Sequence, residues 1–124
     1  MELEINGKIY KFKFGMGFLR KIQATKQTLA GMTTVPAGFK FAVAGLYDED
    51  PEWLEKILLI ANETEDPRIT EEEMDEYFET ADLNKLFKDT KSFLSKANVC
   101  KKMYKELMDE FEKEAKKQQA LEKN

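Results

Sequence analysis

In Glu2-Leu3-Glu4-Ile5-Asn6-Gly7-Lys8-Ile9-Tyr10-Lys11-Phe12-Lys13-Phe14, apolar and polar residues alternate on both sides of Asn6-Gly7. A period of two is that of a strand, and Asn-Gly supplies the pair of positive-φ residues that a two-residue type I′ turn needs, so the stretch is a β-hairpin. With Ile5 opposite Lys8 and Leu3 opposite Tyr10, one face carries Leu3, Ile5, Tyr10, Phe12 and Phe14. Glu2, Glu4, Lys11 and Lys13 take the other, and Ile9 falls on this polar side. A lone hairpin is marginal in water, so the apolar face has to rest on helices or add to another strand.

Downstream the period becomes helical. From the break at Gly15 and Gly17, Phe18, Leu19, Ile22, Ala24, Leu29 and Ala30 recur at helical spacing until Gly31 offers a stop, which predicts a first helix. Thr34 with Val35-Pro36 opens a second, with Phe39, Val43 and Leu46-Tyr47 as its apolar stripe. Asp50-Pro51-Glu52 reads as N-cap, N1 proline and first-turn acid for a third helix through Trp53, Leu54, Ile57, Leu58 and Ile60. Thr70-Glu71-Glu72-Glu73 is a capping box with Ile69 and Met74 as its staple, opening a fourth. After a break near Asp82, the residues Leu86, Thr90, Phe93, Ala97, Cys100, Tyr104, Leu107 and Phe111 step by four and three. That seam predicts one helix from Leu83 to Lys117, ~50 Å long. The expected fold is α+β and mainly α, an N-terminal β-hairpin followed by four to five helices, the last of them long. Residues 1–112 form a single domain, and 113–124 a charged tail that is frayed or disordered.

Composition sets limits on function. The net charge of −4 divides into +5 over residues 1–47, −13 over 48–82 and +4 over 83–124. An acidic middle block repels phosphate backbones, and neither flank has a dense basic cluster with interleaved aromatics, so nucleic acid is not an expected partner. The bland reading of the block is a solvated face, and the sharper one is a surface for a basic partner. No run of about 18 apolar residues is present, and Met1-Glu2-Leu3-Glu4 lacks the basic start of a secretory signal. No membrane partner is expected, and the chain is placed in the cytoplasm.

Catalysis finds little foothold. Histidine is absent and Cys100 is the only cysteine, which leaves no zinc constellation and no intrachain disulfide. Ser92 and Ser95 lie in a helical pattern without a glycine-flanked elbow. Gly15-Met16-Gly17 has Arg20 where a dinucleotide loop needs its third glycine. Asp48-Glu49-Asp50 lacks the glycine and terminal Glu of a calcium loop. Among 24 acidic residues, a pair at glycosidase separation arises by chance. Cys100 reads as a core thiol, because neighbouring Lys101 and Lys102 point to other sides of a helix. No catalytic residue, metal or cofactor is expected, and the chain is not expected to be an enzyme.

Surfaces for partners remain. Through Ala97 the seam is expected to be buried against the chain's own helices. Beyond Cys100 the shorter elements run out of surface, which leaves Tyr104, Leu107, Met108 and Phe111 as exposed interaction candidates. The second candidate is the hairpin carrying Tyr10 and Phe12, whose free edge can accept a strand, although Glu2, Glu4, Lys11 and Lys13 discourage such pairing.

The start from Met1 to Gly15, followed by a helix and then by Val35-Pro36-Ala37-Gly38 leading into another, resembles tail assembly chaperones of long-tailed phages and prophages of Gram-positive bacteria. The likeness is best over about the first 60 residues, and the charged Lys/Glu-rich C-terminus is also similar. It implies a non-enzymatic protein of the host cytoplasm that coats the tape measure protein, helps recruit tail tube subunits, self-associates, and is absent from the finished virion. The rival reading is a bacterial cytosolic adaptor or regulatory domain that binds one folded partner.

Overall fold

A computed structural model describes residues 1–122. The first hairpin joins β1 (Glu2–Ile5) to β2 (Lys8–Lys11) in the expected register, with Leu3 opposite Tyr10 and Ile5 opposite Lys8. Asn6 and Gly7 take φ of 52° and 78° as the turn demands. Its apolar face is covered from within the chain. Ile5, Tyr10, Phe12 and Phe14 are buried, and Ile9 is exposed on the opposite face.

α1 (Met16–Gln23) is shorter than the sequence pattern suggests. The chain leaves the helix after Ala24 and forms a second antiparallel hairpin, β3 (Gln27–Ala30) with β4 (Thr33–Pro36), turning at Gly31-Met32. Leu29 and Ala30 are therefore strand residues, Gly31 is a hairpin turn with φ 66°, and Pro36 ends a strand and opens no helix. β-branched Thr28, Thr33, Thr34 and Val35 favour that outcome over a helix. The hairpin is closed at its base by Ala37 N–H donating to Lys26 O at 2.9 Å.

α2 (Gly38–Tyr47) and α3 (Pro51–Asn62) form the centre. Val43, Leu46, Leu54, Ile57, Leu58 and Ala61 are all fully buried. α2 is gripped at two glycines. A Cβ on Gly38 would lie 1.6 Å from Ile22 O at the end of α1, and one on Gly45 would lie 2.5 Å from Trp53 of α3. Asp50 accepts from Glu52 N–H as the N-cap of α3, with Pro51 in its first turn. α4 (Glu71–Thr80) starts at the Thr70–Glu73 capping box, with Ile69 and Met74 buried as the staple.

Asp82 caps α5 (Leu83–Lys96). The seam does not continue as one helix. Ala97 turns to ψ 124°, and α6 (Lys101–Glu122) restarts after Asn98-Val99-Cys100, with Lys101 N–H donating to Ala97 O at 2.8 Å. α6 then folds back between α2 and α5. In α5 the buried stripe is Leu86, Phe87, Thr90 and Leu94, while Phe93 is 44% exposed. The long helix from Leu83 to Lys117 is thus corrected to two helices, and the described residues form two hairpins and six helices, α+β and mainly α. Residues 113–122, the segment expected as a tail, continue α6, and residues 123–124 lie outside the described residues.

Candidate protein-interaction surface

Three of the sequence-derived candidates sit in the core, two of them on the first hairpin and the third, Tyr104, on α6. Tyr10 and Phe12 are 1% and 3% exposed, because the hairpin face that needed cover finds it on α3. Tyr10 Oη donates to Glu73 Oε2 at 3.0 Å, and Glu73 also accepts from Thr70 N–H, so one carboxylate serves the cap and the hairpin together. Those bonds to Thr70, and then the Tyr10 bond, hold the Glu73 carboxyl below its ordinary pKa. Burial first, then the Glu73 carboxylate, raises the Tyr10 phenol.

The stripe on α6 is less open than the expectation of exposed candidates. Tyr104 is 7% exposed; Leu107, Met108 and Phe111 are half-buried, with Phe111 packed on Tyr47 at 5.8 Å between ring centroids. The turn at Ala97–Cys100 supplies the reason, since it brings α6 against α2 and α5 and covers most of the seam. What remains open lies on its flanks. Toward β3–β4, Pro36, Phe39, Met103 and Leu107 line an apolar cleft of about 340 Å³.

The most exposed apolar element lies beside that cleft. Gln27 to Pro36 contains no charged residue, and all ten of its residues are exposed. Leu29 is 74% exposed and Met32, at the turn, is fully exposed. Gln27, Leu29, Thr34 and Pro36 share one face by register, and Thr28, Ala30, Thr33 and Val35 the other. Neither edge carries the lysines or inward charges with which edge strands discourage pairing. Ten uncharged residues in a chain that is 35% charged are a signal visible in the sequence. It is masked there by the helical spacing of Leu29 and Ala30 with Ile22.

The Cys100 Sγ is buried and directed at Phe14 O at 3.8 Å, and burial pushes its thiol up to about 11, the reverse of a nucleophile's requirement. Glu55, Glu71 and Asp75 bring carboxylate oxygens within 4.8 Å of one another; Glu55 is half-buried and the other two are exposed. Burial first, then Asp75 as hydrogen-bond partner and charge, lifts the Glu55 carboxyl to about 7. No helix among the described residues is long and apolar enough to cross a membrane. The arrangement offers apolar contact surface on one hairpin and one helix flank, set on an acidic body. No curated protein and no solved structure matches the chain significantly. The model of one family, described as "Phage tail assembly chaperone protein, TAC", matches residues 2–109.

Proposed function

The chain belongs to the phage tail assembly chaperone family, and we propose that it binds the tape measure protein during assembly, helps recruit tail tube subunits, and works by contact without catalysis. The observation that carries this reading is the uncharged arm β3–β4, with Leu29 and Met32 held in water beside the cleft of Met103 and Leu107. Large apolar side chains exposed on an uncharged element of an otherwise highly charged protein mark a place for another chain. A tape measure segment presents apolar helical surface before the tube surrounds it. The arm and the cleft cover that surface, and the block from 48 to 82, at −13, keeps the complex soluble. Tube subunits then displace the chaperone by competing for the same apolar surface, so it acts in the host cytoplasm and leaves no copy in the virion. Self-association belongs to the same reading, since a long client is covered by many copies.

Co-expression with tape measure fragments tests this. The wild-type chain is expected to co-purify with at least one fragment, and a Leu29→Ser/Met32→Ser variant to lose it while keeping its circular dichroism spectrum and melting temperature. A folded wild-type chain that retains no fragment across the length of the tape measure sinks the reading.

A further inference from the structure

The flank of α6 turned away from the arm carries a second cleft of different chemistry. Ser95 of α5 with Tyr104 and Met108 of α6 line a space of about 510 Å³, bordered by Lys101, Lys102 and Lys105. A neighbouring cleft of about 390 Å³ shares Ser95 and Tyr104 and extends the surface past Phe87, Lys88 and Lys91. At roughly 100° per residue, Lys101, Lys105 and Met108 lie on the side of the helix opposite Met103 and Leu107, so both flanks can be occupied together.

Lys91 pairs with Glu49, which also lines the smaller cleft, and the other lysines of this border lack such partners. Among the described residues the ion pairs are Lys21–Glu63, Lys91–Glu49 and Lys117–Glu114, which leaves Lys88, Lys101, Lys102 and Lys105 with no carboxylate within 4.0 Å. Asp109 is the one acid lining the larger space. An apolar floor between two helices, bordered by unpaired cations, has the chemistry to receive a third helix. That helix brings an apolar stripe at i, i+3, i+4 spacing and carboxylates beside it.

We propose that the α5–α6 cleft is a second docking site, which takes an amphipathic helix of another protein whose apolar stripe is bordered by Asp or Glu. A second copy of this chain is the obvious rival, since α4 carries six acids in ten residues. However, the apolar residues of α4 are committed to its own fold. Met74 is fully buried, and Tyr77 and Phe78 pack on the core, so α4 offers carboxylates without a free apolar stripe. The proposal rests on the chaperone reading for one point only. With the arm side engaged by the first client, the basic flank stays open for a second tail component.

The test uses the full chain and a synthetic amphipathic Leu/Glu peptide, with a Leu/Lys peptide of the same apolar pattern as its control. Fluorescence anisotropy is expected to show binding of the Leu/Glu peptide that weakens steeply with added salt, and little binding of the Leu/Lys peptide. The surface variant Lys101→Glu/Lys105→Glu is expected to lose at least about tenfold in affinity, whereas Leu29→Ser/Met32→Ser binds like wild type. Equal binding of the two peptides, no binding, or an unchanged charge-reversal variant overturns the proposal. So does light scattering in which wild type forms oligomers that Lys101→Glu/Lys105→Glu abolishes and the Leu/Glu peptide cannot displace, because α4 of a second copy then fills the cleft. Tape measure co-purification on the same variants keeps the two readings apart. Fragments lost from wild type strike at the chaperone reading, and the peptide result decides the cleft by itself.

Discussion

Asn62 joins three segments through one buried side chain. Its Nδ2 donates to Lys11 O at 2.9 Å and to Pro67 O at 3.1 Å, and its Oδ1 accepts from Ile69 N–H at 2.8 Å. Replacing it with Leu keeps much of the volume and strands two carbonyls and one amide, each costing about 1–3 kcal/mol when left unpaired. Asn62→Leu is expected to destabilise by about 3 kcal/mol or more in denaturant unfolding, and a loss under 1 kcal/mol means that water or a shifted loop re-satisfies those groups. Glu55 gives a pH signature. With a folded value of about 7 against an ordinary 4.5, the native state holds a proton that the unfolded chain has released, so stability declines as pH rises through that window. Glu55→Gln mimics the protonated form. Its melting temperature is expected to exceed wild type at pH 8 by a margin that closes toward pH 4.5. Glu73 acts in the opposite sense, its stabilisation fading as pH falls below the ordinary carboxylate range. Local chemistry at this scale was legible beforehand. Thr70, Asp50 and Asn6-Gly7 declare themselves through neighbours three residues away or fewer. Asn62 does not, because its partners lie as far off as residue 11 and nothing near it hints at them.

At the scale of elements, β3–β4 holds itself by its own ladder and contributes almost nothing to the core. Replacing residues 27–36 with a short Gly/Ser loop is therefore expected to move the melting temperature by less than about 4 °C, as fits a change under about 1 kcal/mol. A larger drop means that the arm braces α6 across the cleft of Met103 and Leu107. The helices with chemical start signals were readable because caps and prolines act locally. The arm was not, since Phe18 to Ala30 satisfies a helical period by coincidence while β-branched residues after Thr25 pull the backbone extended. The seam misled in a related way. Its four-three stepping runs unbroken through Ala97 and Cys100, yet four residues of turn separate two helices there, and the pattern carries no term for direction.

For the whole molecule, the candidate site was the least readable part. Tyr104, Leu107, Met108 and Phe111 were identified as an apolar stripe, but exposure is decided by where α2 and α5 lie, and no spacing rule reports that. The far end of α6 is another matter. Residues 116–122 are exposed throughout, and the last half-buried position is Ala115. Ending the chain after Ala115 is expected to leave the unfolding midpoint and its denaturant dependence unchanged, which urea titration reads directly. A fall in the midpoint would show that the overhang feeds stability back into the Tyr47–Phe111 contact.

The turn at Ala97–Cys100 also governs the order in which the protein can be made. Because α6 returns to lie on α2, the flank of α2 around Ala44 and Tyr47 has no cover until α6, more than fifty residues downstream, has left the ribosome. During synthesis the growing polypeptide therefore waits with an apolar helix face uncovered, and its final closure is a long-range event of the slow kind. The acidic stretch that follows α2 is translated in that interval, and its like charge opposes contact between such unfinished chains.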